Sequence, residues 1–244
     1  MSHGLLGLDA YTFRARIAPA LLVILPLVLG LAVWLPLEAP LQTTLFGFGG
    51  MLALTALVAQ LARDRGRRIQ PELFRRWGGA PSDLMLSFRH SSLDPETIRR
   101  YHGQLRRALP ELVIPATREE EDVMPEAAVR VYESCTRFLM EQTRKDPLVN
   151  EENANFGYRR NLFGLKPFGI TTSIFGIVSS GVRTWQLGVV IHSVSVPGLV
   201  YGILSLILLF VWIYWITESW VRSAAHAYSL RLLAACENLT THEH

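Results

Sequence analysis

Val196-PGLVYGILSLILLFVWIYWI-Thr217 runs without a single charged side chain, and its LILLFVWIYWI centre is as apolar as lipid itself. A stretch of this kind is a membrane-spanning helix, because only a helix satisfies its own backbone in hydrocarbon. Two other stretches match it. Ile17 to Leu35 is nineteen residues without a charge, and at about 1.5 Å per residue it covers roughly 28 Å, close to the hydrocarbon thickness. Leu41 to Ala62 is interrupted only by Gln42, Thr43, Thr44, Thr55 and Gln60.

The composition agrees. Of 244 residues, 50% are hydrophobic and 18% charged, with mean hydropathy +0.23 and a net charge of +3. That is too apolar for an ordinary soluble domain and too charged for a chain wholly embedded in lipid. Cys135 and Cys236 lie far apart with no CxxC around them, which argues against a disulfide-stapled fold and a structural zinc site.

The first apolar run follows Arg14 and Arg16, the pattern of a signal peptide. Its length, Pro19, Pro26 and the following Leu37-Glu38-Ala39-Pro40 argue instead for an uncleaved helix, which Pro26 is expected to kink. Phe168 to Val182 is more polar, with Thr171, Thr172, Ser173, Ser179, Ser180 and three glycines. Two readings fit it. Arg183 snorkelling to the far interface beside Trp185 lets a short helix cross, and a re-entrant segment satisfied by protein or water is the alternative.

Loop charges set the expected orientation. Arg14 and Arg16 precede the first span, Pro36 to Pro40 carries no Lys or Arg, and Arg63, Arg65, Arg67 and Arg68 follow the second. The positive-inside rule then places the N-terminus and the segment after residue 62 in the cytoplasm. The expected fold is mainly α: a polytopic, multi-pass inner-membrane protein with four spans and a helical cytoplasmic domain inserted between two hairpins. Its divisions are an N-terminal segment 1–16, hairpins 17–62 and 168–217, a ligand-sensing domain 63–167, and a C-terminal helix 218–244.

Residues 63–167 hold 19 of the 24 basic and 16 of the 21 acidic side chains. Ser92-Leu93-Asp94-Pro95-Glu96 opens a helix, and Thr117-x-x-Glu120 has the form of a capping box. From Pro95 to Leu109, Ile98, Tyr101, Leu105 and Leu109 share one face while Arg99, Arg100, Arg106 and Arg107 share another, with Glu96 placed to pair with Arg100. A second helix, Pro125 to Arg144, carries the line Ala128, Val131, Cys135, Phe138, Leu139. Asp83 to Phe88 and Leu112 to Ile114 suit short strands.

Twenty-two arginines stand against two lysines. Guanidinium forks match phosphate oxygens, although a compositional bias produces the same ratio and the Arg63/65/67/68 cluster also suits a topology signal touching anionic headgroups. Glu151-Glu152-Asn153-Ala154-Asn155-Phe156-Gly157-Tyr158-Arg159-Arg160-Asn161 then joins amides, aromatics and arginines just before the third membrane segment. Asn155 and Asn161 suit base edges, Tyr158 suits stacking, and Arg159 and Arg160 suit phosphate. An equally direct reading makes this a helix whose arginines sit at the headgroups, with Gly164 and Pro167 as an elbow into the bilayer.

Phosphate-binding loops, dinucleotide fingerprints and hydrolase or zinc-protease motifs do not occur, and His90 and His102 stand alone. Neither an enzyme nor a cofactor is indicated. Gly49 with Ala53, and Gly176 with Ser180, have the small-residue spacing of packed membrane helices. A homo-oligomer with Thr171, Thr172, Ser173, Ser179 and Ser180 around a shared axis makes a hydroxyl-lined pore; plain helix packing uses the same residues. Val221, Ala225, Tyr228, Leu232, Ala235 and Leu239 form a short heptad seam, suited to assembly or to packing on the soluble domain. Leu5, Leu6, Leu8, Tyr11 and Phe13 make an apolar N-terminal segment suited to the interface or a vestibule.

The ENANFGYRRNLFGLKP stretch, set between a helical domain and a closing hairpin, resembles the Hailong type of bacterial antiphage-defence membrane effector. The resemblance implies a tetrameric ion channel, held shut by its N-terminal segment and opened by single-stranded DNA oligomers made by a partner nucleotidyltransferase. It also implies Asn155, Tyr158, Arg159, Arg160 and Asn161 as ligand contacts and Leu5 to Phe13 as the plug.

Overall fold

The computed structural model describes residues 12–35, 40–191 and 196–238. Leu5, Leu8 and Tyr11 of the expected plug lie outside them. The helices are α1 (Ala18–Trp34), α2 (Leu41–Trp77), α3 (Pro81–Leu86), α4 (Pro95–Ala108), α5 (Arg118–Val123), α6 (Pro125–Gln142), α7 (Pro147–Ile191), α8 (Val196–Phe210) and α9 (Glu218–Ala234). A wide π turn, Phe13–Ile17, leads into α1, and a second, Val211–Trp215, ends α8. The stretches Phe13–Trp34, Leu41–Leu86, Pro147–Gly188 and Val196–Trp215 contain four helices long and apolar enough to cross a membrane.

No strand occurs among the described residues. Asp83 to Phe88 falls mostly in α3, because Pro81 presets the first helical turn and Asp83 suits its positive end. Leu112 to Ile114 is irregular, and the Ile114 carbonyl takes a bond from Arg106 Nε at 3.1 Å where a strand would use a ladder partner. The expected elbow at Gly164 and Pro167 is also absent. Helix α7 runs 45 residues through both positions, about 68 Å at the standard rise. Residues 168–182 are thus part of one uninterrupted helix and do not turn back.

The chain forms two compact units, one from Met1–Ile69 and Gly157–Val221, the other from Gln70–Phe156 and Arg222–His244. Inside the first, Val23, Ala62, Leu162, Leu165, Trp212 and Ile216 make the core. Glycines set how closely its helices meet. A Cβ on Gly169 would stand 2.0 Å from the Trp212 ring, one on Gly176 would stand 2.3 Å from Ser205 Oγ, and one on Gly202 would stand 2.5 Å from Ser180 Oγ. The spacing of Gly176 with Ser180 therefore marks the α7–α8 contact. Gly49 with Ala53 marks no such contact among the described residues: nothing lies within 4 Å of a Cβ at Gly49, and Ala53 is exposed.

The second unit buries Met85, Leu86, Leu105, Ile114, Tyr132, Cys135 and Leu139 together with Leu232, Leu233 and Cys236. Helix α4 starts as its sequence indicates, with the Asp94 side chain accepting from Thr97 N at 2.9 Å. Thr117 caps α5 by accepting from Glu120 N, and Glu120 reaches back to Ala116 N. The tail seam settles into this same core: Leu232 and Ala235 are buried members and Tyr228 packs against them. Leu239 lies outside the described residues, and Val221 belongs to the first unit.

Candidate functional site

The sequence candidates separate by unit. Helix α4 presents Arg99, Arg100, Arg106 and Arg107, all in the second unit. Glu96 pairs with Arg99 and leaves Arg100, contrary to the expected pairing, to Glu237 at 2.9 Å. Arg106 is a structural cross-brace, donating to the carbonyls of Ile114 and Pro115 at 3.1 and 2.7 Å. Arg107 is exposed. The four guanidiniums do not form one open anion-binding stripe, since three already hold acceptors of this chain.

Beside them lies a buried polar network that the sequence concealed. Glu121 is 4% exposed and accepts from Ser87 Oγ at 2.6 Å, Phe88 N at 2.7 Å and Tyr132 Oη at 3.1 Å. His102 is fully buried, with Nε2 2.8 Å from the Leu86 carbonyl and Nδ1 3.1 Å from that of Pro115. Burial pushes its pKa below the usual imidazole value. Both thiols are buried as well, which raises Cys135 to about 11 and Cys236 to about 12.

Asn155 belongs to the second unit and is half-buried. Tyr158 to Asn161 belong to the first. Tyr158 and Arg159 converge on Trp220. The Tyr158 ring meets the indole edge-on at 6.3 Å, and the Arg159 guanidinium lies 4.8 Å from the indole centre while donating to the Trp220 carbonyl at 3.0 Å. The faces expected to serve a base and a phosphate are turned to an aromatic of the same chain.

Asn161 is 1% exposed. Its Nδ2 donates to the Ala15 carbonyl at 2.7 Å, and its Oδ1 would stand 1.9 Å from a Cβ at Gly66. One turn along α7, a Cβ at Gly164 would stand 3.0 Å from the Gly66 backbone nitrogen. The backbones of α2 and α7 therefore cross in direct contact, which only glycine permits at both positions. Lys166 completes the stretch by donating to the carbonyls of Ile213 and Ile216 at 3.0 and 2.9 Å, at the open end of α8.

The hydroxyls expected to line a pore are mostly committed to backbone. Thr172 donates to the Val23 carbonyl at 2.7 Å, Ser173 to Gly169 at 2.7 Å, and Ser180 to Gly198 at 2.6 Å. Ser179 accepts from Trp34 Nε1 at 2.8 Å. Thr171 is exposed and bonds back to Pro167 at 2.9 Å. Phe13 is exposed at the start of the first π turn. Arg183 lies over the Trp34 ring at 5.2 Å, and Trp185 is exposed.

Sequence reasoning passed over Gly66, Lys166, Ser205, Trp212 and Trp220. Gly66 carried a signal, since a lone glycine in the Arg-rich helical run Arg63 to Arg68 marks a close approach. Ser205 Oγ and Trp212 Nε1 are buried with no hydrogen-bond partner. Among the described residues no group of three or more His, Cys, Asp or Glu is placed to hold a metal ion. No known protein family, curated protein or solved structure matches the chain.

Proposed function

We propose that this chain is the subunit of an oligomeric ion channel in the bacterial inner membrane, an antiphage-defence effector opened by a nucleotide or a short single-stranded DNA oligomer. In this reading the N-terminus and the 63–167 domain are cytoplasmic, a nucleotidyltransferase supplies the signal, and the assembly is a tetramer, as in the effectors the sequence resembles.

One observation carries the proposal: α7 residues 159–166 hold the other membrane helices together. Asn161 ties down the entry to α1, Gly164 seats α2, Lys166 caps α8, and Arg159 holds Trp220. A ligand that draws Arg159 or Arg160 toward itself competes with those contacts, so its affinity for an opened arrangement becomes a bias on all four helices. The bundle has a reason to yield at α8. Ser205 and Trp212 are sealed without an acceptor, and a polar group in that condition costs about 1–3 kcal/mol, which hydration would recover. Wide π turns, such as those ending α8 and entering α1, recur at functional positions in helices.

The test is ion flux from liposomes holding the purified chain, with and without short oligodeoxyadenylates. Flux should require the oligomer, and binding should weaken as salt rises. Ligand-independent behaviour in both measurements rejects the channel reading. The Arg159–Trp220 contact favours a second reading, a membrane protein whose arginines serve only packing and lipid contact. The pair Arg159→Lys with Arg160→Gln separates the two, because the channel reading expects about a tenfold loss of oligomer affinity and the second expects none.

A further inference from the structure

Toward the end of α7 and the start of α8, the first unit leaves a groove unfilled. Ile177, Gly181, Thr184 and Trp185 on α7 face Ile203 and Leu206 on α8 across an open space of about 550 Å³, within the range of small-molecule sites, about 300–1,000 Å³. Its floor is a closed contact: Ser180 Oγ donates to the Gly198 carbonyl at 2.6 Å and fills the space beside Gly202. Its emptiness shows at Gly181, where nothing lies within 4 Å of a Cβ position. One of the lining residues has an unmet need. Thr184 Oγ1 is shielded from water and has no hydrogen-bond partner, although Thr171, Thr172, Ser173, Ser179 and Ser180 on the same helix all have one. A helical threonine has two favoured rotamers, so a ligand acceptor in the groove can draw out a donor that the chain itself leaves unused.

Depth and chain length decide the occupant. Arg183 lies over the Trp34 ring at 5.2 Å and Trp185 is 69% exposed, and such residues mark the level where a span leaves hydrocarbon for the headgroups. From Thr184 the groove runs inward to Ile177 and Leu206, about 10 Å at the helical rise. The chain's own N-terminal segment does not reach it. Ala15 is bonded to Asn161, about 24 Å along α7 from Ile177, whereas residues 1–11 as a helix cover about 17 Å, and an extended backbone goes unsatisfied in hydrocarbon. A membrane helix of a second copy spends its backbone carbonyls on itself and leaves Thr184 unanswered. A phospholipid brings both parts at the right depth, an acyl chain for the apolar walls and an ester carbonyl just inside the headgroups. We propose that this groove binds one acyl chain of a phospholipid, whose ester carbonyl accepts from Thr184 Oγ1. The site stands whether or not the channel reading does.

The test uses the full chain in neutral detergent, titrated with a short-chain diester phosphatidylcholine and, in parallel, with its diether analogue, which lacks only the ester carbonyls. Native mass spectrometry reads retained lipid and subunit count, and a melting curve reads stabilisation. The diester should bind about fivefold more tightly than the diether, the worth of one hydrogen bond, and should raise the melting temperature. Gly181→Leu fills the groove where a Cβ meets nothing, so retention should fall more than about tenfold while the lipid-free chain melts no lower, leucine being the better helix former. Gly49→Leu, equally open on α2, should leave retention unchanged. Thr184→Val keeps the shape and loses the donor, so diester and diether should then bind alike, whether or not Gly181→Leu folds. Unchanged retention in Gly181→Leu overturns the groove. Equal binding of the two lipids by the parent chain, or a preference that survives Thr184→Val, overturns the Thr184 contact. A fall in subunit count with unchanged lipid in Gly181→Leu overturns the lipid and assigns the groove to a second copy.

Discussion

The two units of this chain differ in what stands at the centre of their buried polar groups. In the second, one carboxylate serves as the hub: Glu121 gathers a hydroxyl, a phenol and a backbone N–H at the edge of a dense apolar core. In the first, side-chain hydroxyls each bond a nearby backbone carbonyl, as Thr172, Ser173 and Ser180 do, and glycines bring the helices within reach. Among acyl chains, which the apolar helices of the first unit suit, burying leucines gains nothing, and close contact with interhelical hydrogen bonds must hold the bundle.

The comparison breaks most visibly at Gly164. Gly164→Val drives a branched side chain into the α2 backbone, so the purified chain should lose about 3 kcal/mol or more, read as a collapse of the melting transition in detergent. Gly49→Val, where a Cβ meets nothing within 4 Å, should melt as the parent does. Equal losses at the two glycines would show that close packing is not what holds this unit.

Leucines sharpen the same contrast. Leu105 is fully buried in the second unit, so Leu105→Ala should cost about 3 kcal/mol as lost burial plus a cavity. Leu206 is 58% exposed on the membrane helix α8, and Leu206→Ala should cost less than about 0.5 kcal/mol. Hydrogen exchange of α4 amides and of α8 amides reads each change where it occurs.

Acid gives the smallest effect and confines it to the second unit. Burial lowers the His102 pKa from its ordinary value of about 6.5, so below that pH the unfolded chain takes up a proton that the folded unit resists. The contribution of His102 is complete above about pH 6.5 and is lost as pH falls toward its lowered value. Asp83 acts in the other direction, since burial raises its carboxyl above 3.8. Exchange protection of α4 and α6 should therefore decline from pH 7 to pH 5, by no more than about 1.4 kcal/mol for each unit of pH. His102→Gln should flatten that decline, and an unchanged slope would remove His102 as its source.

Periodicity and charge made much of this readable in advance. The lipid-like runs, the buried face of α4 and the Asp94 cap are where local pattern places them, because each depends on neighbours in sequence. Glu121 was hidden because it is one of four consecutive acids, Glu119 to Asp122, that look alike to a helix dipole, and only the tertiary fold decides which one turns inward. The structural roles of Asn161 and Lys166 were hidden for a related reason: their carbonyl partners lie on other helical segments. The candidate set was legible as residue types and misleading as an open surface, since Tyr158 and Arg159 face Trp220 and Arg106 braces a loop.

The π turns at Phe13–Ile17 and Val211–Trp215 have one thing in common. Each contributes a carbonyl to α7, from Ala15 to Asn161 and from Ile213 to Lys166. A wide turn is a helix that has absorbed one extra residue, and here the surplus is what presents an oxygen to a side chain on a different helix. Removing one residue from either turn would tighten it into ordinary helix and rotate everything beyond it by about 100°. The sequence between these helices and their anchors is therefore constrained in its count as strictly as in its chemistry: many substitutions there are tolerable to the backbone, and a single deletion is not.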